Sequence, residues 1–152
     1  MQDKIKFHDR EYTLPILEEI SLKEFDKKVK EIDDLVACLY DYIDPEKQKE
    51  LDYAMYEYGR EKADQQRILI RNKHKLWSFQ TKLFSENRRH YTSDLTARKA
   101  VNIATKEQQS LLDTQKECME RLDTNYWLFK DMADSIKSRR IGELADAKRI
   151  VL

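Results

Sequence analysis

The sequence predicts a mostly α protein, in which long amphipathic helices form a helical bundle or hairpin, with a possible small β-hairpin at the N-terminus. Only two glycines and two prolines occur in 152 residues. Because these residues favour turns, so few of them argue against a β or α/β fold, which needs many turns. Charged residues make up 38% of the chain and hydrophobic residues 40%. This balance is too polar for one large core and too apolar for a disordered chain, and long helices with narrow apolar faces reconcile the two.

The N-terminal segment, 1–14, has the alternation that is typical of paired strands. Ile5 and Phe7 alternate with polar residues, as do Tyr12 and Leu14. The four residues between these pairs are polar and suit a turn, so the segment predicts a β-hairpin. At this length the whole chain, 1–152, is expected to form a single domain.

Three helical segments follow, and each is predicted from apolar residues at steps of three and four. The first covers 15–44, with core positions Phe25, Val29, Ile32, Val36, Leu39 and Ile43. The second covers 45–91, because Asp44 suits an N-cap and Pro45 the first helical position. The heptad positions of this second helix are Leu51, Met55, Tyr58, Lys62, Gln65, Leu69, Asn72, Leu76, Phe79 and Leu83. The third covers 94–140, after the boundary Thr92-Ser93-Asp94, and Gly142 is expected to stop or bend it before a C-terminal tail. Its core positions are Leu112, Met119, Leu122, Tyr126, Phe129, Ala133 and Ile136.

Charge is distributed unevenly along a chain whose net charge is zero. Residues 1–66 hold 18 acidic and 11 basic side chains, and residues 67–152 hold 11 and 18. The stretch 67–99 alone holds nine basic and two acidic residues. On a helical wheel five of these cations share one arc, about 33 Å long at 1.5 Å per residue. We call them the basic ridge: Arg67, Arg71, Lys75, Lys82 and Arg89.

The basic ridge predicts a polyanion surface, and nearby aromatic residues favour single-stranded DNA, whose unpaired bases can stack on rings. The predicted DNA-binding residues are Arg67, Arg71, Lys75, Trp77, Lys82, Arg88 and Arg89. A competing interpretation is that the ridge is a solvated face or pairs with the acidic stretch 18–34. Every seventh residue on the other flank of the helix is apolar, and for this aromatic stripe we favour a core or subunit interface over a base platform. The aromatic stripe consists of Ile70, Trp77, Phe84 and Tyr91.

Motifs for catalysis or cofactor binding are lacking in the sequence. No glycine-rich phosphate loop or nucleophile motif occurs, and the three histidines have no metal-ligand spacing with each other or with Cys38 and Cys118. We therefore expect a non-enzymatic protein without a metal or another cofactor. No stretch reaches the roughly 18–20 apolar residues of a membrane span, and the separated cysteines suit a reduced compartment. The expected location is the cytoplasm, that of the host cell if a phage encodes the protein.

The C-terminal third contains Tyr126-Trp127 and, after a short interval, the run Asp134-Ser135-Ile136-Lys137-Ser138-Arg139. Together with the basic helix upstream, this pattern resembles the UvsY-type recombination-mediator proteins of tailed phages, over roughly 65–141. The resemblance implies single-stranded DNA binding, assembly into rings, and loading of a RecA-like recombinase onto strands that carry single-strand binding protein. It also implies that a basic pair near the end of the basic helix contacts DNA. Lys82 matches one residue of this basic pair, and Gln80 occupies the position of the other basic residue.

We therefore predict a homo-oligomeric, single-stranded DNA-binding recombination mediator. Four residues near the C-terminus are predicted to hold subunits together: Tyr126, Trp127, Phe129 and Ile136. The alternative is a non-enzymatic helical scaffold or assembly protein that binds protein partners, which the heptads and the acidic first half would equally explain. A third interpretation, a regulator of duplex DNA, predicts stronger capture of double strands.

Overall fold

A computed structural model describes residues 3–151, with side chains up to residue 146. Its elements, in order, are β1 (Lys4–Phe7), β2 (Arg10–Thr13), α1 (Lys23–Asp41), α2 (Pro45–Asn87), a 3₁₀ turn (Arg88–His90), α3 (Asp94–Ala104) and α4 (Lys106–Val151). The mostly α fold with a small N-terminal hairpin is thus confirmed.

The described chain divides into two compact units. Unit 1 comprises residues 3–20 and 65–118, and unit 2 comprises residues 21–64 and 119–151. Each unit has its own buried core. No helix in the described part of the chain is long and apolar enough to span a membrane.

The hairpin of unit 1 turns at His8 and Asp9, which both have positive φ, 50° and 64°. β1 and β2 pair antiparallel from Lys4 opposite Thr13 to Phe7 opposite Arg10, so the connection has two residues. A two-residue connection with two positive φ values matches the twist of the strands that it joins. Because a lone hairpin is marginal in water, its packing on α2 and α3 matters. It packs through a core of Tyr12, Phe79, Leu83 and Val101.

The helix predicted over 15–44 is shorter at both ends, because α1 spans only Lys23–Asp41. Residues 14–22 have no helical or strand structure. Side-chain amides replace the helical hydrogen bonds there: Asn72 Oδ1 accepts from the Glu18 N–H at 2.9 Å, and Asn72 Nδ2 donates to the Glu18 carbonyl at 2.9 Å. Buried side chains therefore satisfy both backbone groups of Glu18 without a helix.

The predicted start of α2 is confirmed. Asp44 accepts a hydrogen bond from the Glu46 N–H at 3.0 Å, and Pro45 is the first helical residue. The predicted end at 91 is wrong, because α2 ends at Asn87. The Asn87 side chain donates to the Leu83 carbonyl at 2.9 Å, and a 3₁₀ turn follows. Most predicted heptad positions of α2 are buried, while Met55, Lys62 and Gln65 are half-buried.

The helix predicted over 94–140 is in fact two helices. Ser93 caps α3 by accepting from the Thr96 N–H, as the boundary predicted. The break lies at Thr105, a fully buried residue whose hydroxyl donates to the Val101 carbonyl at 2.9 Å. The expected stop at Gly142 does not occur, because α4 continues to Val151. A single glycine costs a helix only about 1 kcal/mol relative to alanine, which neighbouring turns can absorb.

Unit 2 is a helical bundle of α1 with the segments of α2 and α4 that belong to this unit. Tyr58 of α2 is its central side chain and is fully buried. Its ring lies edge-on to Phe25 of α1 and to Phe129 of α4, with centroids 5.3 and 6.1 Å away. Its hydroxyl donates to the Leu122 carbonyl at 2.9 Å, and burial raises the pKa of Tyr58 to about 12. These contacts tie the three helices together.

Candidate nucleic-acid interface

The basic ridge is neutralised at its centre by one carboxylate. Glu18 lies 2.8 Å from the Arg71 guanidinium and 3.7 Å from the Lys75 ammonium. Lys75 also donates to the Ile16 carbonyl at 3.2 Å. The hydrogen bond from Arg71, followed by its charge and that of Lys75, lowers the pKa of the Glu18 carboxyl. Glu18 is therefore ionised and holds two of the five ridge cations.

Hydrogen bonds to its backbone fix the position of Glu18. Its carboxylate takes no part in these bonds and is left to pair with the ridge cations. Asn72 binds both the Glu18 N–H and the Glu18 carbonyl. Gln115 of α4 donates to the same carbonyl at 2.9 Å and accepts from Asn72 Nδ2 at 2.8 Å. Asn72 and Gln115 are both buried, so this network is shielded from water.

The remaining predicted DNA-binding residues differ in their surroundings. Lys82 and Arg89 are exposed, and the Lys82 ammonium lies 5.9 Å from the centre of the Tyr12 ring. Arg67 is exposed but interacts within the chain. Arg88 instead closes the turn before α3, where it donates to Asp94 and, at 2.7 Å, to the Tyr91 carbonyl. Arg88 therefore stabilises this turn and is not available to DNA.

Unit 1 nevertheless keeps several exposed basic side chains. Among the side chains described, five of the nine basic residues in 67–99 are exposed and have no ion pair: Lys73, Lys82, Arg89, Arg98 and Lys99. Lys73 and Lys82 lie on α2, Arg89 lies in the 3₁₀ turn, and Arg98 and Lys99 lie on α3. These cations therefore do not follow the single continuous ridge that the sequence predicted.

Trp77 lines a groove of about 600 Å³ between α2 and α3, which we call the α2–α3 groove. Its side chain is 62% exposed, and Ile70 is exposed as well, so the aromatic stripe is not core at these two positions. Phe84 forms another part of the wall, and the Arg98 guanidinium lies 5.7 Å from the centre of its ring. Apolar Val101 and the polar side chains Gln80, Thr81, Ser85 and Asn102 complete the lining, which contains no carboxylate.

A second groove, beside the hairpin, has the opposite character. It holds about 430 Å³ and is lined by two cations, Arg10 and Lys82, and two carboxylates, Glu11 and Glu86. Arg10 and Glu86 lie 3.8 Å apart as an ion pair. Because its charges balance, this groove has less attraction for a polyanion than the α2–α3 groove.

The predicted oligomerisation residues separate into two groups in unit 2. Phe129 and Ile136 are buried in the core of their own chain, which leaves them no surface for another subunit. Tyr126 is half-buried and stacks on Tyr58, with ring centroids 6.2 Å apart. Trp127 is 55% exposed, and the Lys130 ammonium lies 4.9 Å from the centre of its ring. Of the four residues, Trp127 alone is largely accessible to a partner.

Sequence reasoning missed the three residues that most change the interface: Glu18, Arg98 and Asn102. Glu18 was counted only within the acidic stretch 18–34, whose predicted pairing with the ridge is confirmed at Arg71 and Lys75. No local signal singles out this carboxylate, because its partner Arg71 is 53 residues away. Arg98 was counted among the nine cations of 67–99, but its approach to Phe84 needs the turn between α2 and α3. Among the described residues, no group of three or more histidine, cysteine, aspartate or glutamate side chains is arranged to hold a metal ion.

The C-terminal part of the UvsY-type resemblance, Tyr126-Trp127 and the run 134–139, lies along α4, in unit 2. Tyr126 and Ile136 face the core there, and Arg139 donates to the Tyr40 carbonyl and pairs with Glu143 at 3.3 Å. These contacts within the chain give the aromatic, apolar and basic residues of the motif a role in packing. No known protein family, curated protein or solved structure matches the chain.

Proposed function

We propose that the protein binds single-stranded DNA through unit 1. The observation that carries this proposal is that, within the described side chains, unit 1 has five exposed cations without an ion pair and also an exposed tryptophan, Trp77. Cations without carboxylate partners release counterions from a phosphate backbone, and an exposed indole offers a face to an unpaired base. Duplex DNA presents no free base faces, so single strands suit this surface better.

We further propose that the bound strand is presented to a RecA-like recombinase, so that the protein acts as a recombination mediator. This step is supported by the resemblance along 65–141, and single-strand binding protein would be the second partner. Homo-oligomerisation would multiply the contacts, because binding by a second subunit becomes intramolecular once the first is bound. Exposed Trp127 and its neighbour Leu128 supply apolar surface for such assembly.

The salt dependence of oligonucleotide binding tests the proposal. With about five phosphates neutralised per chain, the logarithm of affinity should fall with the logarithm of salt concentration at a slope of about −3.5. The double variant Lys82→Ala/Arg89→Ala should reduce the slope to about −2, since each contact accounts for about 0.7. Fluorescence anisotropy of a labelled single strand measures both values.

The matched control is Lys27→Ala/Lys30→Ala, which removes two exposed lysines from unit 2. It should leave the slope unchanged. Equal slopes for the two double variants would exclude Lys82 and Arg89 from the interface, and stronger capture of double strands would favour a duplex regulator.

Removing the Glu18 carboxylate should strengthen DNA binding. Glu18→Gln frees Arg71 and Lys75 while keeping the backbone contacts that hold the segment. Because an exposed ion pair is worth at most about 1 kcal/mol, affinity should rise up to about fivefold, and the salt slope should steepen by about 1.4. Glu19→Gln is the control, since Glu19 is exposed and has no ion pair among the described side chains. Identical binding by both variants would contradict competition by Glu18.

A helical scaffold that binds protein partners is the second candidate, and one observation favours it. A groove of about 320 Å³ in unit 2 is lined largely by apolar groups, including Val36, Tyr40 and Met132. Tyr40 is also strongly exposed. In the same anisotropy assay a scaffold would show no binding at any salt concentration, and its mass in solution would not change when oligonucleotide is added.

A further inference from the structure

The α2–α3 groove combines three features that no other described groove of unit 1 shares. An exposed indole, Trp77, forms one wall, and an arginine, Arg98, lies over the ring of Phe84 on another. The side chains Ser85 and Asn102 give it hydrogen-bonding groups, and no carboxylate lines it. The His74 ring lies beside the indole, with centroids 6.2 Å apart and an angle of 28° between the ring planes.

We propose that this groove is a nucleotide subsite, which takes one unpaired base of the bound strand against Trp77 and its phosphate against Arg98. The proposal rests on the proposed function, single-strand binding by unit 1, and adds a base-specific contact to it. The volume of about 600 Å³ lies within the range of small-ligand sites. The amide and hydroxyl groups of the lining can donate hydrogen bonds to a base edge and accept them from it. A purely apolar groove could not do so.

The charge of the lining selects a nucleotide over a peptide side chain. Arg98 is the single ionised group in the lining, and its guanidinium is planar, so it can bind a phosphate in bidentate fashion. It has no ion pair among the described side chains, which leaves it available. Gln80 is partly committed, because its amide donates to the Thr105 hydroxyl at 3.0 Å, and this bond fixes the floor of the groove.

Tryptophan fluorescence reports directly on this subsite. The chain has two tryptophans, Trp77 and Trp127. A single-stranded oligonucleotide should quench part of the emission of the full-length protein, because a stacked base quenches an indole. Trp77→Phe, which keeps Trp127, should bind but lose that quenching. If the quenching persists in Trp77→Phe, the base does not stack on Trp77 and the proposal fails.

An abasic strand of the same length separates this proposal from the proposed function. It carries the same phosphates without bases, so it should bind with an unchanged salt slope but about 5- to 100-fold more weakly, and without quenching. If the natural strand does not bind at all, the proposed function fails. If natural and abasic strands bind equally well, single-strand binding stands and the nucleotide subsite is overturned.

Two substitutions with matched controls complete the test. Trp77→Ala should weaken binding of the natural strand about 5- to 100-fold and leave the abasic strand unaffected, whereas Leu95→Ala, another exposed apolar residue, should change neither. Arg98→Ala should reduce the salt slope by about 0.7 and also reduce quenching. Lys99→Ala should reduce the slope alone. Oligo(dT) and oligo(rU) in parallel show whether the subsite distinguishes DNA from RNA. Quenching by a partner protein but not by either strand would overturn the proposal.

Discussion

Tyr58→Ala is expected to lower the free energy of unfolding of unit 2 by about 3–5 kcal/mol. The ring is fully buried and contacts aromatic side chains from both other helices, Phe25 of α1 and Phe129 of α4. Its removal leaves a cavity where the three helices meet, and each lost aromatic pair adds about 0.5–1.5 kcal/mol to the loss of buried area. Urea unfolding followed by circular dichroism measures the change.

Tyr58→Phe isolates the hydroxyl from the ring. It removes one hydrogen bond, to the Leu122 carbonyl, and should cost only about 0.5–1.5 kcal/mol. It should also alter the pH dependence. The pKa of Tyr58 is raised to about 12 in the folded state and is about 10 when unfolded, so its contribution to stability is complete below about pH 10. That contribution is lost as the pH rises from about 10 to 12, and Tyr58→Phe should lack this loss.

Amide hydrogen exchange locates the effect within the chain. Protection in α1 should fall with Tyr58→Ala, since Phe25 loses its contact. A loss below about 1 kcal/mol for Tyr58→Ala would show that the bundle does not depend on this residue. The control Tyr56→Ala removes an exposed tyrosine from the same helix and should change stability by no more than about 0.5 kcal/mol.

The fold could be predicted where its determinants are local. Residues three and four apart in a helix share a face, so the spacing of Leu51, Tyr58 and Leu69 was enough to identify the buried side of α2. Capping is equally local, and Asp44 and Ser93 both cap as their sequence positions indicated. The hairpin followed from the alternation of Ile5 and Phe7 with polar residues.

The rest depended on contacts between residues distant in sequence. Pro15 and the residues after it suit a helix, but Asn72 and Gln115 bind the backbone of the segment in another conformation. The break at Thr105 depends in turn on burial of its side chain in unit 1, which receives a hydrogen bond from Gln80. For the same reason, the sequence could not show that Glu18 competes for Arg71 and Lys75, while Trp77, Lys82 and Arg89 remain exposed. Charge patterns indicate how many cations exist, and only the fold determines which of them are paired.

Asn72→Leu is expected to lower the free energy of unfolding of unit 1 by about 2–4 kcal/mol. The substitution keeps the number and branching of the side-chain heavy atoms but removes three hydrogen bonds, two to Glu18 and one to Gln115. Each such bond contributes about 1 kcal/mol. The loss is larger because the Glu18 N–H, which is partly buried, and the Gln115 amide oxygen, which is buried, are left without these partners. Gln109→Leu is the control, because the Gln109 amide makes one exposed hydrogen bond, to Asp113, and should cost less than about 1 kcal/mol.

The same substitution should also affect DNA binding, in the opposite direction to stability. Without Asn72, only the Gln115 amide still holds the Glu18 backbone, so Glu18 is held less firmly beside Arg71 and Lys75 and the two cations become more available to phosphate. Binding by Asn72→Leu, measured below its unfolding transition, should therefore approach that of Glu18→Gln. The double variant should bind no more tightly than either single variant, since both remove the same ion pairs. Additive gains would mean that Glu18 and Asn72 act on binding through separate routes, and the segment 14–20 would not then control the ridge.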